Sequence, residues 1–442
     1  MITITPSSDD TMLAIKKRLA ELRGQAPHGF VRLTMSIAIA DPLAWLSLQV
    51  LLPRLYWQGR EPNASQYATL GCVHEITDPT RLNELGLLES GGALRYFGGL
   101  AFDPTDTRQW PAFGGCRFLL PRIELMRQGD LAQLSLNLLF DSTNHEAELA
   151  AAETALDAIR PERPLPGWEP ISFTRHDRPE PSEWAEWVNE IIQPAFQSHT
   201  QKVVLSRESR LVTHQPIDPW QLLHHWQVRS LDCFHFAYQF SPADTFIGCS
   251  PERLYRRDGR QLLSEALAGT MRRSGDTALD HALASVLHSD TKNRHENRIV
   301  QADICRRLAP LSRDIRFSEP HILKLRLLQH LRCDIEAELL EEVADWQLLK
   351  ALHPTPAVGG MPHEHALDFI RTHEAHARGW YAGACGIMSR EHAEFTVAIR
   401  SARVTANAVS LFAGAGIVEG SEPYAEWQEL DTKIANVMSM LG

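Results

Sequence analysis

The chain has 442 residues, of which 44% are hydrophobic and 22% are charged, and its formal net charge is −11. These values are typical of a globular protein and disfavour a nucleic-acid-binding protein, which usually presents a basic face. An anionic substrate would have to be captured by local cations, because the field of the whole protein repels it.

The cysteines and the apolar segments indicate where the protein works. Seven cysteines are scattered without a C-x-x-C pair, which predicts neither a zinc site nor a disulfide framework. The N-terminus lacks the basic segment and apolar run of a signal peptide. No window approaches the roughly 20 apolar residues of a membrane span. The sequence therefore predicts a cytoplasmic protein without a membrane segment.

The first 165 residues are predicted to form a sheet-rich half. Apolar residues at helical spacing predict a helix over 9–24. From about 30 to 142, short β-branched and aromatic runs broken by Gly and Pro predict strands, and an Ala- and Glu-rich stretch predicts a helix over 145–159. Six prolines from Pro161 to Pro181 mark the best boundary, because proline continues neither helices nor central strands.

Residues 182–442 are predicted to alternate strands and helices. The first helix has Ser182 as its cap, and its apolar stripe favours a core-facing surface over an aromatic binding box; the stripe contains Trp184, Trp187, Val188, Ile191, Ile192 and Ala195. Asp258-Gly259 is a strong hairpin dipeptide. The other predicted elements are strands at 202–207, 234–240, 245–249, 253–257 and 261–265, a helix over 276–308, a hairpin near 394–413 that turns at Ala406-Asn407, and a last helix from Pro423.

Two side chains in this half could serve as base and acid. Lys202 opens a buried strand, Lys-Val-Val-Leu-Ser-Arg, where lysine is rare unless it is paired or used. Burial beside a cation would favour its neutral form. Glu252 follows a strand-ending turn in Ser-Pro-Glu-Arg, and a partly buried carboxyl can stay protonated and act as an acid. The alternatives are a lysine that reaches solvent and a glutamate paired with Arg253.

Carboxylates on two predicted helices could hold a hard cation. Glu296 has apolar neighbours three and four positions further on, so it borders the buried side and needs a partner or a metal. Glu426, Glu429 and Lys433 share one face of the last helix. Mg²⁺ usually takes one or two carboxylates and completes its shell with water and substrate oxygens, so Glu296 and Glu429 would suffice. The alternative for the charges on the last helix is a solvated face.

A glycine-rich run, Leu411-Phe-Ala-Gly-Ala-Gly-Ile-Val418, follows a predicted strand. It lacks the complete G-x-G-x-x-G fingerprint of a dinucleotide site. The run predicts either a structural turn or a place where backbone N–H groups approach a carboxylate.

Nine motifs in chain order together resemble the chorismate-utilising enzymes, over about residues 200–435. They are Lys-Val-Val-Leu-Ser-Arg, Ser-Pro-Glu-Arg-Leu, Glu265-Ala-Leu-Ala-Gly-Thr270, Lys-Asn-x-x-Glu-Asn, His353-Pro-Thr-Pro-Ala-Val-Gly-Gly360, Trp380-Tyr-Ala-Gly383, Ala398-Ile-Arg400, Gly-Ala-Gly-Ile-Val and Glu-Trp-x-Glu-x-x-x-Lys. The N-terminal half is similar, less distinctively, to the menaquinone-pathway members through Tyr56-Trp-Gln and Phe102-Asp-Pro.

The resemblance implies an α+β fold, with residues 1–442 in one domain of large antiparallel β-sheets packed face to face and helices outside. It implies a Mg²⁺-dependent isochorismate synthase, an isomerase that adds water to chorismate at ring carbon 2 and expels the carbon-4 hydroxyl. Lys202 would be the base and Glu252 the acid, while Glu296 and Glu429 would hold the metal. Residues implied to bind the substrate are Gly269, Thr270, His353, Tyr381, Arg400, Gly414, Gly416 and Lys433. The alternative for His353 is a satisfied structural role.

Two positions separate the members of this family. Members that use water resemble this chain in carrying a lysine at position 202, and aminodeoxychorismate synthases carry a nucleophilic lysine where this chain has Ala268. No fused glutaminase is evident, so no glutaminase subunit is expected. The alternatives are a salicylate synthase and a siderophore-pathway isochorismate synthase. A non-catalytic chorismate-binding module is disfavoured because the acid, base and metal carboxylates are all present.

Overall fold

The computed structural model describes residues 8–25, 27–82, 94–106 and 110–442 of the chain. These residues form two antiparallel β-sheets of twelve and ten strands, together with eleven α-helices. The predicted α+β fold is therefore confirmed. None of the helices in these ranges is long and apolar enough to cross a membrane.

The first sheet joins strands that lie far apart in the sequence. Strand β9 (Phe173–Arg178) pairs with β10 outside the main path. From one edge to the other, the main path is β1 (Gly29–Ser36), β8 (Leu131–Phe140), β7 (Ile123–Gln128), β3 (Gln66–Leu70), β2 (Arg54–Gln58), β11 (Phe234–Ser241), β12 (Asp244–Ser250), β21 (Ser401–Thr405), β22 (Ala408–Ile417), β10 (Lys202–Thr213) and β18 (Gly360–Met361).

The second sheet is assembled in the same way, and β16 (His321–Lys324) pairs with β17 outside its main path. That path is β15 (Ser312–Phe317), β17 (Leu328–Leu339), β14 (Gln261–Arg272), β13 (Arg253–Asp258), β20 (His392–Val397), β19 (Ala384–Met388), β5 (Tyr96–Leu100), β6 (Cys116–Leu120) and β4 (His74–Ile76). The helices are α1 (Ser8–Leu22), α2 (Pro42–Ser47), α3 (His145–Asp157), α4 (Pro181–Ile191), α5 (Pro194–Gln197), α6 (Pro219–Gln227), α7 (Thr277–Ser289), α8 (Thr291–Leu308), α9 (Asp345–Leu352), α10 (His363–His373) and α11 (Pro423–Leu441).

The two sheets share one apolar core. Tyr67 on β3 of the first sheet meets Phe97 on β5 of the second, with ring centroids 5.5 Å apart. How deeply a strand is buried depends on its position in the sheet. The central strand β12 is buried at all its positions, whereas β9 alternates between half-buried and exposed residues.

Both sheets mix strands from the two halves of the chain. Strand β2 pairs with β11 in the first sheet, and β5 pairs with β19 in the second. The proline-rich stretch therefore connects the predicted halves without separating the sheets. We propose on this basis that the chain folds as one domain.

Most predicted elements are confirmed to within a few residues, but β10 and β14 continue six and seven residues beyond their predicted ends at 207 and 265. The hairpin at Asp258-Gly259 joins β13 to β14, and Gly259 has a φ of +57°, which glycine adopts easily. Residues Ala406 and Asn407 form the turn between β21 and β22. The last helix begins at Pro423, as predicted.

Three predicted boundaries are wrong for local reasons. Helix α4 begins at Pro181, with Glu180 and not Ser182 as its N-cap, because proline suits the first helical position. The stripe of α4 is buried from Trp184 to Ile191, but Ala195 lies beyond the helix and is exposed. The predicted helix over 276–308 is two helices, because the Asp290 carboxylate accepts a hydrogen bond from the Asn293 N–H and caps the second one.

The predicted hairpin at 394–413 is also wrong at its start. Strand β20 belongs to the second sheet, and the chain then crosses to β21 in the first. Only the part after residue 400 forms the predicted hairpin.

Candidate active site

All the predicted site residues except Lys202 and His353 line a single cavity of about 70 Å³. Its walls come from β10, β14, β17 and β22, from α8 and α11, and from two segments where the chain passes between the sheets. Lining residues include Glu252, Gly269, Thr270, Glu296, His330, Tyr381, Arg400, Gly414, Gly416, Glu429 and Lys433.

Two crossovers between the sheets place an acid and a cation on the cavity wall. Glu252 lies between β12 and β13, and Arg400 lies between β20 and β21. The crossovers are tied together: the Val397 N–H donates to the Glu252 carbonyl at 3.1 Å, and the Ser250 hydroxyl donates to the Val397 carbonyl at 2.6 Å. Arg400 has a φ of +49°, a strained conformation that persists only where the surroundings enforce it.

Lys202, the first residue of β10, has a completely buried side chain. Its Nζ lies 2.9 Å from Oε1 of Glu296, so the alternative of a lysine that reaches solvent is wrong. Burial alone would raise the pKa of Glu296, but the ammonium groups of Lys202, Lys433 and Lys292 lower it below its ordinary value. Glu296 is therefore an ionised carboxylate in a cationic setting.

Helix α8 is fixed against the second sheet by Asn297. Its Nδ2 donates to the carbonyls of Ala266 at 3.0 Å, Ala268 at 3.3 Å and Leu331 at 3.1 Å. These bonds set the rotation of the helix, because a buried amide must satisfy its donors. The neighbouring Glu296 is consequently held at the cavity.

The last helix turns its charged face toward the cavity and toward α8. Lys433 Nζ lies 2.6 Å from Oε1 of Glu429 and donates to the Gly414 carbonyl at 2.8 Å. Glu426 is buried and pairs with Lys292 of α8 at 2.9 Å. Burial, followed by the like charge of Glu429, raises the pKa of Glu426. The alternative of a solvated face is therefore wrong for Glu426 and Lys433.

The glycine-rich run lies within β22, so the predicted structural turn is wrong. A Cβ at Gly416 would lie 2.6 Å from Glu296 Oε1 and 2.8 Å from Lys202 Cε. A Cβ at Gly414 would lie 2.9 Å from the Tyr381 hydroxyl. Both positions require glycine, because the side chains of Glu296, Lys202 and Tyr381 occupy the space that a Cβ would take. Backbone binding of a carboxylate here stays a prediction.

Glu252 is buried, with 3% of its surface exposed. Burial, followed by the like charge of Glu265, raises its pKa from 4.5 to about 8, although Lys202 and Lys433 act in the opposite direction. A carboxyl with such a pKa stays protonated at neutral pH and can donate a proton. The structure therefore gives Glu252 the property of a general acid.

Arg253 does not neutralise Glu252. Its guanidinium lies 3.1 Å from Glu265 and 3.1 Å from Glu394, and it also binds Glu61. The predicted alternative of a Glu252–Arg253 pair is therefore wrong. This buried network also holds Glu265, the carboxylate that favours protonation of Glu252, in place.

Another wall of the cavity is suited to a carboxylate. Thr270 Oγ1 lies 3.1 Å from His330 Nδ1, and the Arg400 guanidinium lies 3.5 Å from His330 Nε2. Burial, with help from Arg400 and Lys433, lowers the pKa of His330, so its ring is neutral. Tyr381 stacks on Phe412 with ring centroids 5.0 Å apart. The arginine, lysine and hydroxyl donors that line the cavity can bind an anion.

His353 is the exception among the residues predicted to bind the substrate, because the structure does not bring it to the cavity. Its Nε2 lies 3.1 Å from the Ala101 carbonyl, and burial lowers its pKa to about 4. Ala357 and Val358 of the same motif line the cavity instead. The predicted substrate contact of His353 is therefore corrected to a structural role beside Ala101.

His330 is a cavity residue that the sequence analysis missed. It lies on β17 and faces Thr270 of β14 across an irregular step in the pairing. A lone histidine inside a strand has no spacing that marks it as functional. Only the pairing register of β14 with β17 places His330 beside the Gly269-Thr270 pair.

Glu296 and Glu429 could together hold a divalent cation. No group of three or more His, Cys, Asp and Glu side chains suited to a metal occurs within the described ranges. Magnesium does not require one, because one or two carboxylates with water and substrate oxygens complete its shell. Both carboxylates line the same cavity, and Glu296 is ionised. The residues therefore fit a magnesium ion.

Comparisons with known proteins identify the family of the chain. A sequence profile of the family described as "Chorismate binding enzyme" matches residues 17–442. The isochorismate synthase MenF of Escherichia coli K12 is 35% identical over 402 residues, covering 91% of this chain and 90% of that protein. The salicylate biosynthesis isochorismate synthase of Pseudomonas aeruginosa is 34% identical over 429 residues, covering 91% and 88%. The solved structure of the menaquinone-specific isochorismate synthase MenF from Escherichia coli has a TM-score of 0.89 at 32% identity, covering 98% of this chain and 100% of that one.

Proposed function

Because the chain belongs to the chorismate-binding enzymes, we propose that it is a magnesium-dependent isochorismate synthase acting on chorismate. This isomerase adds water at ring carbon 2 of chorismate and expels the carbon-4 hydroxyl. The observation that carries the proposal is one cavity with a protonated carboxyl, Glu252, on its wall and a buried amine, Lys202, behind it. The names of the relatives, at 35% and 34% identity over nine-tenths of the chain, support the same reaction.

The cavity holds the dianionic substrate by local charge. Arg400 and Lys433 face the cavity with Thr270 and Tyr381, and together they bind the enolpyruvyl and ring carboxylates. These cations matter because the chain as a whole carries a net charge of −11. We also propose that backbone N–H groups of Gly269 and Gly416 contribute to carboxylate binding.

The chemistry uses one base and one acid. Lys202, after losing its proton, accepts a proton from water as the water oxygen forms a bond to carbon 2. Glu252 donates its proton to the carbon-4 hydroxyl, which leaves as water while the ring double bonds shift. One water enters and one leaves, so the substrate and product are isomers. The two side chains then exchange their protons with solvent before the next turnover.

Magnesium is proposed to bind at Glu296 and Glu429. When bound, the ion withdraws charge from the ring carboxylate of the substrate. Glu296 must first part from Lys202, because its Oε1 is paired with that ammonium at 2.9 Å. Separation of this pair frees the Glu296 carboxylate, and the Lys202 ammonium then gives its proton to solvent to become the amine that the reaction needs. The narrowness of the cavity, about 70 Å³ against about 300–1,000 Å³ for typical ligand pockets, also requires side-chain movement on binding.

Ala268 argues against an aminodeoxychorismate synthase. It offers only a methyl group at the cavity wall, so no covalent lysine adduct forms there. No glutaminase subunit is needed when water is the nucleophile. We place the enzyme in menaquinone synthesis because a menaquinone-specific relative matches 98% of the chain in structure. Seven cysteines without a paired spacing favour the cytoplasm.

The second candidate is a salicylate synthase, which would eliminate pyruvate after the same hydration. The relative from Pseudomonas aeruginosa, named as an isochorismate synthase of salicylate biosynthesis, links the reaction to a salicylate pathway. Incubation of the purified chain with chorismate, with and without magnesium, separates the two. Isochorismate that appears only with magnesium supports the proposal. Salicylate with an equal amount of pyruvate would reject it in favour of the second candidate, and anthranilate formed in the presence of ammonia would reject both.

A further inference from the structure

A second and larger cavity, which we name the outer cavity, adjoins the active-site cavity. It has a volume of about 440 Å³ against about 70 Å³ for the inner one. The two cavities share Pro251, Arg400 and Lys433 in their walls. A ligand in the outer cavity therefore lies next to the two cations proposed to bind the substrate carboxylates.

The outer cavity is bounded by two loops and by the last helix. One loop, 228–233, connects α6 to β11, and the other, 325–327, connects β16 to β17. Asn436 on α11 forms a hydrogen bond to each loop. Its Nδ2 donates to the Ser230 hydroxyl at 3.2 Å, and its Oδ1 accepts from Arg326 at 3.3 Å. The shape of the outer cavity is therefore set by side-chain contacts between α11 and both loops.

The charge of the outer cavity is strongly positive. Besides Arg400 and Lys433, its walls contain Arg229, Arg273, Lys324 and Arg326, against Asp232 as the acidic residue. Asp280 partly neutralises two of these cations, because it lies 3.0 Å from Arg273 and 2.8 Å from Lys324. Glu429 in the same way pairs with Lys433 at 2.6 Å.

Arg229 and Arg326 are not neutralised in this way. Within the described parts of the chain, Arg229 donates to the His225 carbonyl at 3.3 Å and Arg326 donates to the Asn436 amide oxygen at 3.3 Å. Both acceptors are uncharged, so each guanidinium keeps its full positive charge. Two such charges at one cavity need an anion or solvent as their partner.

We propose that the outer cavity is an encounter site for a dicarboxylate substrate, which Arg229 and Arg326 capture and pass to Arg400 and Lys433. The inference rests on the proposed function, since it takes chorismate as that dicarboxylate. A protein of net charge −11 repels a dianion at long range, and cations at the entrance of a cleft offset this locally. The larger volume of the outer cavity lets substrate lodge there before the narrow inner cavity opens.

The test compares the doubly substituted Arg229→Gln/Arg326→Gln enzyme with a control that removes two exposed arginines elsewhere. The control is Arg18→Gln/Arg316→Gln, whose arginine side chains are 63% and 80% exposed and lie outside both cavities. It changes the net charge of the protein by the same amount. kcat/KM for chorismate is measured from about 0.01 M to about 0.15 M salt, over which the Debye length falls from about 30 Å to about 8 Å.

We expect kcat/KM of the Arg229→Gln/Arg326→Gln enzyme to fall on the order of 10-fold at low salt, with most of the loss in KM. Its dependence on salt should also be flatter than that of the wild type and of the control. Equal kcat/KM and equal salt dependence in the two double variants would overturn the inference.

A binding measurement separates this inference from the proposed function. Chorismate is titrated calorimetrically into wild type, the outer-cavity variant and the control, without magnesium and at low salt. Weaker binding by the outer-cavity variant alone supports the encounter site even if the wild type forms a product other than isochorismate. Equal binding by all three rejects the encounter site even if isochorismate is formed.

Discussion

Glu252→Gln is expected to abolish turnover and, at the same time, to stabilise the protein above neutral pH. The buried carboxyl has a pKa of about 8 in the folded chain against an ordinary value of 4.5. Between these two values the unfolded chain releases the Glu252 proton and the folded chain retains it. Wild-type stability therefore falls as pH rises through this window, and a glutamine, which has no proton to lose, removes the effect.

The size of the effect follows from the difference in pKa. Each unit corresponds to about 1.4 kcal/mol, so the contribution approaches about 5 kcal/mol when the pH is well above 8. From about pH 5.5 to about pH 7.5, the unfolding free energy of Glu252→Gln relative to wild type should rise by about 3 kcal/mol. Groups that do not interact with Glu252 cancel in this difference, because they are common to both proteins.

Urea unfolding of both proteins across this pH range measures the slope, and product formation from chorismate measures turnover. Glu169→Gln, at an exposed position in the loop before β9, is the matched control and should show neither effect. Parallel stability curves for wild type and Glu252→Gln would refute the reasoning, because they would mean that the Glu252 carboxyl titrates alike in the folded and unfolded chains. Normal turnover by Glu252→Gln would reject its role as the acid.

Three further predictions concern the same cavity. Wild-type kcat/KM should decline above about pH 8, since Glu252 must be protonated to act; a profile that stays flat to pH 9 would contradict this. Lys202→Ala should lower kcat on the order of 10²–10⁴-fold and keep the circular dichroism spectrum of the wild type, because it removes the base; isochorismate at the normal rate would show that another group is the base. Gly416→Ala should lower activity and cost about 1–3 kcal/mol of stability, since its Cβ would lie 2.6 Å from Glu296 Oε1. Gly167→Ala, where no atom lies within 4 Å, is its control, and equal melting temperatures and activities for the two would contradict the close approach.

The sequence predicted the parts of the fold that local chemistry determines. Apolar patterning located β10, the Asp258-Gly259 dipeptide located a hairpin, and Pro423 located the start of α11. The helix break at Asp290 was missed because its neighbours have good helical spacing. The capping carboxylate of Asp290 outweighs that spacing, and the two resulting helices meet at one residue.

The site could be predicted only in part, because its geometry depends on register and on the crossovers between the sheets. Motifs identified Glu252 and Glu296, but they did not reveal that the ionised partner of Lys202 is Glu296. His330 reaches the cavity through strand pairing, which no local pattern encodes. His353 was predicted by motif alone, and the fold turns its ring to the Ala101 carbonyl.

The central claim is that solvent water attacks carbon 2 while Lys202 and Glu252 move the protons. The most direct measurement is the conversion of chorismate in water labelled with heavy oxygen, followed by mass spectrometry of the product. We predict isochorismate that carries one labelled oxygen, in the hydroxyl at carbon 2. Unlabelled isochorismate would contradict the claim, because it would mean that the original hydroxyl migrates within the substrate.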